Sequence, residues 1–115
     1  MENKIIIHKK VWWWGTTMTL ILNGGVGIID ISFDKDSPNV ARLNGLSILP
    51  EYQKQGLATW LLNKCHRIAK LNNCKFCQLD ADKDNHWIRR WYESLGYTLY
   101  SQDEHYYTLI KILDD

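Results

Sequence analysis

The chain has 115 residues, 45% of them hydrophobic and 23% charged, with a formal net charge of +1. That length sustains one hydrophobic core but not two, so a single compact domain over residues 1–115 is expected. The composition excludes a disordered tail, and near-neutral charge gives no whole-protein case for a nucleic-acid or membrane partner. No stretch reaches the roughly 18 apolar residues of a membrane span. Met1-Glu2-Asn3-Lys4-Ile5 lacks the apolar core of a signal peptide. Three cysteines (Cys65, Cys74 and Cys77) cannot close a disulfide framework, so a reduced, cytoplasmic protein is expected.

Along the chain, Ile5 to Trp14 reads as a first strand and Met18 to Leu22 as a second. Asn23-Gly24-Gly25 reads as a hairpin turn, because these residues accept positive φ. Gly27 to Phe33 is the next strand, Asp34 to Asn39 a polar connection, and Val40 to Leu49 a fourth strand with a bulge at Asn44-Gly45. Leu57 to Leu71 is an amphipathic helix whose apolar stripe is Leu57, Leu61, Leu62, Cys65, Ile68 and Ala69. Asn72-Asn73 stops it. Cys74 to Leu79 is a strand. Asn85 to Leu95 is a second helix, with Ile88, Trp91, Tyr92 and Leu95 at i, i+3, i+4 and i+7 and Gly96 as its C-terminal cap. Tyr97 to Tyr100 and Tyr106 to Leu113 close the chain as a strand pair. The order β-β-β-β-α-β-α-β-β is a mixed α/β sheet.

The most informative stretch is Leu46-Ser47-Ile48-Leu49-Pro50-Glu51-Tyr52-Gln53-Lys54-Gln55-Gly56-Leu57-Ala58. It reads as a buried strand, a turn, and a glycine at the mouth of a helix. Such a turn aims several backbone N–H groups at one point off the helix N-terminus, where the helix dipole also favours negative charge. Gly56 lets the backbone approach a ligand without a Cβ in the way, and Ala58 keeps the first helical turn open. A phosphate-bearing ligand is expected there. Downstream, Asn85 is followed seven residues later by Tyr92, then by Glu93-Ser94-Leu95-Gly96-Tyr97.

Gln53-x-x-Gly56-x-Ala58 resembles the pyrophosphate loop of the GNAT superfamily of acyl-CoA N-acyltransferases. The run from Asn85 to Tyr97 resembles that family's second signature, in the right order, and together the matches cover about Ala41 to Tyr97. The resemblance implies a mixed, mostly antiparallel sheet with two main helices. It departs from the family in one place: about four residues separate Trp14 from Met18, where the family carries two helices that wall the acceptor pocket. A shallow, open acceptor side follows, which a second subunit of a homodimer would complete.

The resemblance implies an N-acetyltransferase that passes an acetyl group from acetyl-CoA, its cosubstrate, to a primary amine on a small molecule or peptide. The alternative is a non-catalytic acyl-CoA binding or regulatory module, motivated by the missing helices. Gln53, Lys54, Gln55, Gly56, Leu57, Ala58 and Thr59 would grip the pyrophosphate through backbone N–H groups. Asn85 would bond the pantetheine arm; otherwise it, or Asp84, caps the second helix. Leu46 and Ile48 would lie beside pantetheine like an added strand, with the backbone N–H near Ile48 aimed at the thioester oxygen. Tyr92 would protonate the leaving thiolate, since a phenol of pKa about 10 keeps its proton at neutral pH; otherwise it is a core tyrosine. Asp80, at a strand end, would take the amine proton, unless it is a surface aspartate. Asn44 stands where other members often carry a glutamate, which puts a strand-borne base in doubt.

Other features carry less. Cys74-x-x-Cys77 falls on a strand, where i and i+3 point to opposite faces, so buried thiols are expected rather than a metal or redox site. Asp80, Asp82 and Asp84 form an acidic rim that reads as solvated. His8, His66, His86 and His105 lack metal-ligand spacing, and no metal is implied. Within Trp12-Trp13-Trp14 at least one ring is expected in the core. Lys9-Lys10 beside them could stack bases, but no basic stripe follows.

Overall fold

The computed structural model describes residues 2–113; Met1, Asp114 and Asp115 lie outside the described residues. Strands β1 (Ile5–Trp12), β2 (Gly15–Leu22), β3 (Gly27–Asp34) and β4 (Val40–Ile48) lead through a single 3₁₀ turn, Pro50–Tyr52, into helix α1 (Leu57–Leu71). Strand β5 (Phe76–Asp82), helix α2 (Ile88–Ser94) and strands β6 (Thr98–Gln102) and β7 (Tyr106–Ile112) follow. The seven strands form one sheet in the order β1-β2-β3-β4-β5-β7-β6. Every neighbouring pair is antiparallel except β4 and β5. The mixed, mostly antiparallel sheet with two helices is as the sequence implies.

The parallel pair matters most for function. β4 and β5 are joined only at Val40, Ala41 and Arg42, opposite Phe76, Cys77 and Gln78. Past that point β4 runs on to Ile48 and β5 to Asp82 without a shared ladder. The expected bulge is also present: Ile28 pairs with Ser47 but Asp30 with Asn44, which leaves Gly45 and Leu46 opposite Ile29. Gly45 takes a φ of +70°, a conformation cheap only for glycine.

Register fixes which face is buried. Leu20 pairs with Ile29, Met18 with Ile31, Ile31 with Leu43 and Ala41 with Cys77. These residues lie on one face, where Leu61, Leu62, Cys65 and Ala69 of α1 pack with them in one buried cluster. Truncating a residue as enclosed as Leu61 costs about 2–5 kcal/mol. α2 joins the same side through Tyr92, and Tyr97, just beyond its C-terminal end, belongs to the same cluster. The opposite face carries no helix among the described residues, and Ile6, Ile28 and Ile112 on it are exposed.

Several boundaries move. A two-residue turn at Trp13 and Trp14 ends β1 early, so β2 starts at Gly15 rather than Met18. No helix separates these strands, in keeping with the short spacing seen in the sequence. The expectation of a tryptophan in the core fails: Trp12 and Trp13 are exposed, and Trp14 is half-buried and stacked on Trp12 with ring centroids 6.3 Å apart. Trp13 and Trp14 form the turn itself, Trp12 ends β1, and that strand is exposed along nearly all its length. Strand β5 begins at Phe76, after Cys74. Helix α2 begins at Ile88, because residues 83–87 form turns on either side of Asn85 rather than a first helical turn.

Candidate active site

The ends of β4 and α1 and the segment entering α2 enclose a groove of about 730 Å³. One wall is the loop after β4 with the start of α1. The other is Asn85 with the apolar face of α2. The loop keeps Lys54 at φ +64° and Gly56 at φ +79°, two left-handed residues that turn the backbone over itself. Gln53 ties the loop to the strand, since its Nε2 donates to the Ile48 carbonyl at 3.0 Å. Gly56 is the N-cap of α1, and no side chain caps this end. The first helical N–H groups therefore remain free for an anion. A Cβ built on Gly56 would meet nothing within 4 Å, so the space in front of the loop is open.

The groove is lined by Leu46, Ile48, Gln53, Lys54, Gly56, Leu57, Ala58, Thr59, Asn85 and Tyr92, all singled out from the sequence. Gln55 is the exception, an exposed loop residue that does not line it. Asn85 has a buried Oδ1 with no hydrogen-bond partner. A buried carbonyl left unpaired costs about 1–3 kcal/mol, so this atom calls for a donor from a ligand. Neither Asn85 nor Asp84 caps α2: the N-cap is Trp87 and no side chain bonds there. The residues thus fit a cofactor that carries a phosphate group and an amide-bearing arm.

Tyr92 sits where this groove meets a smaller cavity of about 200 Å³, and it lines both. It is buried at 7% exposure, with its ring 5.0 Å from that of Trp91 and 5.7 Å from that of Tyr97. Burial pushes its phenol above the ordinary value, so it holds its proton at neutral pH. The smaller cavity lies in the gap between β4 and β5, among Leu43, Asn44, Gly45, Leu79 and Asp80. Asp80 is exposed there and accepts a hydrogen bond from Thr108 Oγ1 at 2.9 Å. Tyr92 and Asp80 are therefore brought to one cavity. Asp82 and Asp84 are not: Asp82 Oδ1 accepts the Asp84 N–H at 2.9 Å and closes a surface turn.

Sequence reasoning missed Tyr52, Trp87, Ile88 and Trp91, which also line the groove. Ile88 and Trp91 were legible as an apolar helix face; they pack against the core and line the groove as well. It also missed His66, buried on α1, whose Nε2 lies 2.7 Å from the Tyr97 hydroxyl. Burial first, then Lys111 and Lys70, lowers its pKa to about 4, so the ring is neutral at pH 7. Cys65, Cys74 and Cys77 are free and buried. Burial pushes Cys65 and Cys77 up to about 12 and also raises Cys74, far from nucleophilic thiolates. Among the described residues no group of three or more His, Cys, Asp or Glu is placed to hold a metal ion. No helix there is long and apolar enough to cross a membrane.

A family model described as acetyltransferase (GNAT) family matches residues 8–97. No curated protein matches the chain. Among solved structures, the chain is similar to the PaiA N-acetyltransferase of Thermoplasma acidophilum in complex with coenzyme A. The TM-score is 0.71 at 21% identity, over 84% of this chain and 59% of that one. It thus spans well under two thirds of that relative's length. It is also similar to a GNAT family acetyltransferase from Elizabethkingia anophelis with acetyl-CoA bound, with a TM-score of 0.73 at 12% identity over 95% of this chain and 98% of the other. Nourseothricin acetyltransferase is a third, with a TM-score of 0.74 at 12% identity over 97% and 88%. At these identities the likeness establishes the fold.

Proposed function

Because the chain belongs to the acetyltransferase (GNAT) family, we propose that it moves an acetyl group from acetyl-CoA to a primary amine by direct transfer in a ternary complex. The observation that carries this reading is the meeting of three features in one groove. These are the open N–H loop from Gln53 to Thr59, the unpartnered Oδ1 of Asn85 and the buried hydroxyl-bearing ring of Tyr92.

Each residue then has one task. The loop and the N-terminus of α1 hold the pyrophosphate with backbone N–H groups. Asn85 Oδ1 accepts from an amide of the pantetheine arm. Leu46 and Ile48 lie beside that arm, and a backbone N–H near Ile48 polarises the thioester carbonyl as charge develops on its oxygen. The amine nitrogen attacks the carbonyl carbon, the C–S bond breaks, and the sulfur takes the Tyr92 proton. A nearby thiolate in the same desolvated pocket is a stronger base than in water, so a phenol with a raised pKa still serves. The proton leaving the amine passes to the Asp80 carboxylate, directly or through water. The three cysteines are buried and their thiols held protonated, so none of them serves as the nucleophile of an acyl-enzyme, and they suit a reducing cytoplasm.

The amine reaches Asp80 from the bare sheet face, an open acceptor side that a second copy of the chain would complete as a homodimer. That openness also favours a second reading, a module that binds acyl-CoA without turning it over. Acetyl-CoA titration combined with product detection separates them. The transferase binds the cosubstrate and releases CoA only with an amine present. The module binds it and releases none.

A further inference from the structure

Behind Tyr92 lies a buried polar pair that acetyl-CoA has no means of touching. Tyr97 is 1% exposed and His66 7%, and neither lines the groove. The Tyr97 hydroxyl and His66 Nε2 are 2.7 Å apart, a short contact in a dry interior. The Tyr97 ring stands edge-on to Tyr92, with 5.7 Å between centroids and 64° between planes. The Tyr92 ring also meets that of Trp91. Tyr97 lies three residues past the end of α2, and its N–H donates back to the Tyr92 carbonyl at 3.2 Å. Lys111 Nζ fastens the same corner by donating to the Leu95 carbonyl at 2.9 Å.

An apolar pair would fill this space with no buried polar group to satisfy, and a phenylalanine ring would give Tyr92 the same edge. A hydrogen bond adds direction. Through it α1 holds the Tyr97 ring at one angle, and the Tyr97 ring in turn limits the rotation of Tyr92. We propose that His66 and Tyr97 are positioning residues that, through their hydrogen bond, aim the Tyr92 hydroxyl into the junction of the two cavities. This rests on the assignment of Tyr92 as the proton donor.

A double-mutant cycle tests it. Tyr97→Phe keeps the ring and removes the hydroxyl. It should lower kcat about tenfold, the scale of a sub-ångström misplacement, with KM for acetyl-CoA unchanged. In a Tyr92→Phe background the same change should have no further effect, because no hydroxyl remains to be aimed. His66→Gln, whose amide can still bond Tyr97, should retain most of the turnover, whereas His66→Ala should not. If Tyr97→Phe fails to fold, the two His66 variants carry the same comparison. In the free protein, ring NMR signals of labelled Tyr92 should broaden in Tyr97→Phe and His66→Ala but stay sharp in His66→Gln. An unaltered Tyr92 signal, or an equal loss of turnover in both backgrounds, overturns the proposal. Impaired Tyr92→Phe with normal Tyr97→Phe overturns the positioning alone. Normal turnover in Tyr92→Phe overturns the donor assignment as well.

Discussion

Replacing Gly56 by alanine separates what the loop needs for folding from what it needs for binding. Gly56 sits at φ +79° and ψ 7°, where an L-residue with a Cβ pays about 1–2 kcal/mol. No steric term adds to this, since the new Cβ would meet nothing within 4 Å. For a domain of this size the expected fall in melting temperature is roughly 4–10 °C, and the protein remains folded. The emptiness in front of Gly56 is the space the account gives to the pyrophosphate, so the methyl group displaces that anion from the N–H groups. A loss of at least about tenfold in acetyl-CoA affinity, or about 1.4 kcal/mol, is expected. Calorimetric titration of wild type and Gly56→Ala with acetyl-CoA, and with acetyl-pantetheine, which lacks the pyrophosphate, reads this directly. Affinity for the first should fall and for the second should hold. Equal affinity of both proteins for acetyl-CoA, or the same loss for both ligands, refutes the anion-loop assignment.

Asn85→Ala removes a carbonyl oxygen that is buried without a partner. Denaturant unfolding should show no loss of stability, while acetyl-CoA affinity falls about three- to tenfold. Asp80→Asn should lower turnover about tenfold or more near neutral pH with acetyl-CoA binding intact, and part of that loss should be recovered at higher pH, where the amine deprotonates unaided; steady-state rates from pH 7 to 10 check this. His66 gives an acid limit to stability. Its pKa is near 4 in the fold and about 6.5 when unfolded, so the unfolded chain binds the extra proton in between. Its contribution is complete above pH 6.5 and is lost as pH falls towards 4. Between pH 7 and 4.5 the loss is about 2–3 kcal/mol. His66→Gln should lack that component in urea unfolding at the two pH values.

The loop and α1 were legible because backbone chemistry dictates them. Gly56 with a positive φ before an amphipathic run has few other uses, and Asn23-Gly24-Gly25 marked its hairpin for the same reason. Asn85 and Tyr92 were legible as spacing, although α2 begins three residues later than its periodicity suggests, since residues 83–87 turn without closing a helical ladder. The tryptophans misled because core membership depends on what covers a strand, and β1 is exposed along nearly all its length. Ile88 and Trp91 were missed as groove residues for a related reason: an apolar helix face looks the same in sequence whether it meets a core, a ligand groove or both. The pairing of His66 with Tyr97 joins residues 31 positions apart, and only the packing of α1 against the turn after α2 brings them together.

The most direct measurement is mass-spectrometric detection of acetylated product after incubation with acetyl-CoA and a panel of primary amines, for wild type and Tyr92→Phe in parallel. Mass detection is preferable to thiol-reactive dyes because the chain has three free cysteines of its own. An acetylated amine is expected with the wild type, and a product yield at least about tenfold lower with Tyr92→Phe at equal acetyl-CoA affinity. Acetyl-CoA binding without any acetylated amine would contradict transfer and support the binding module.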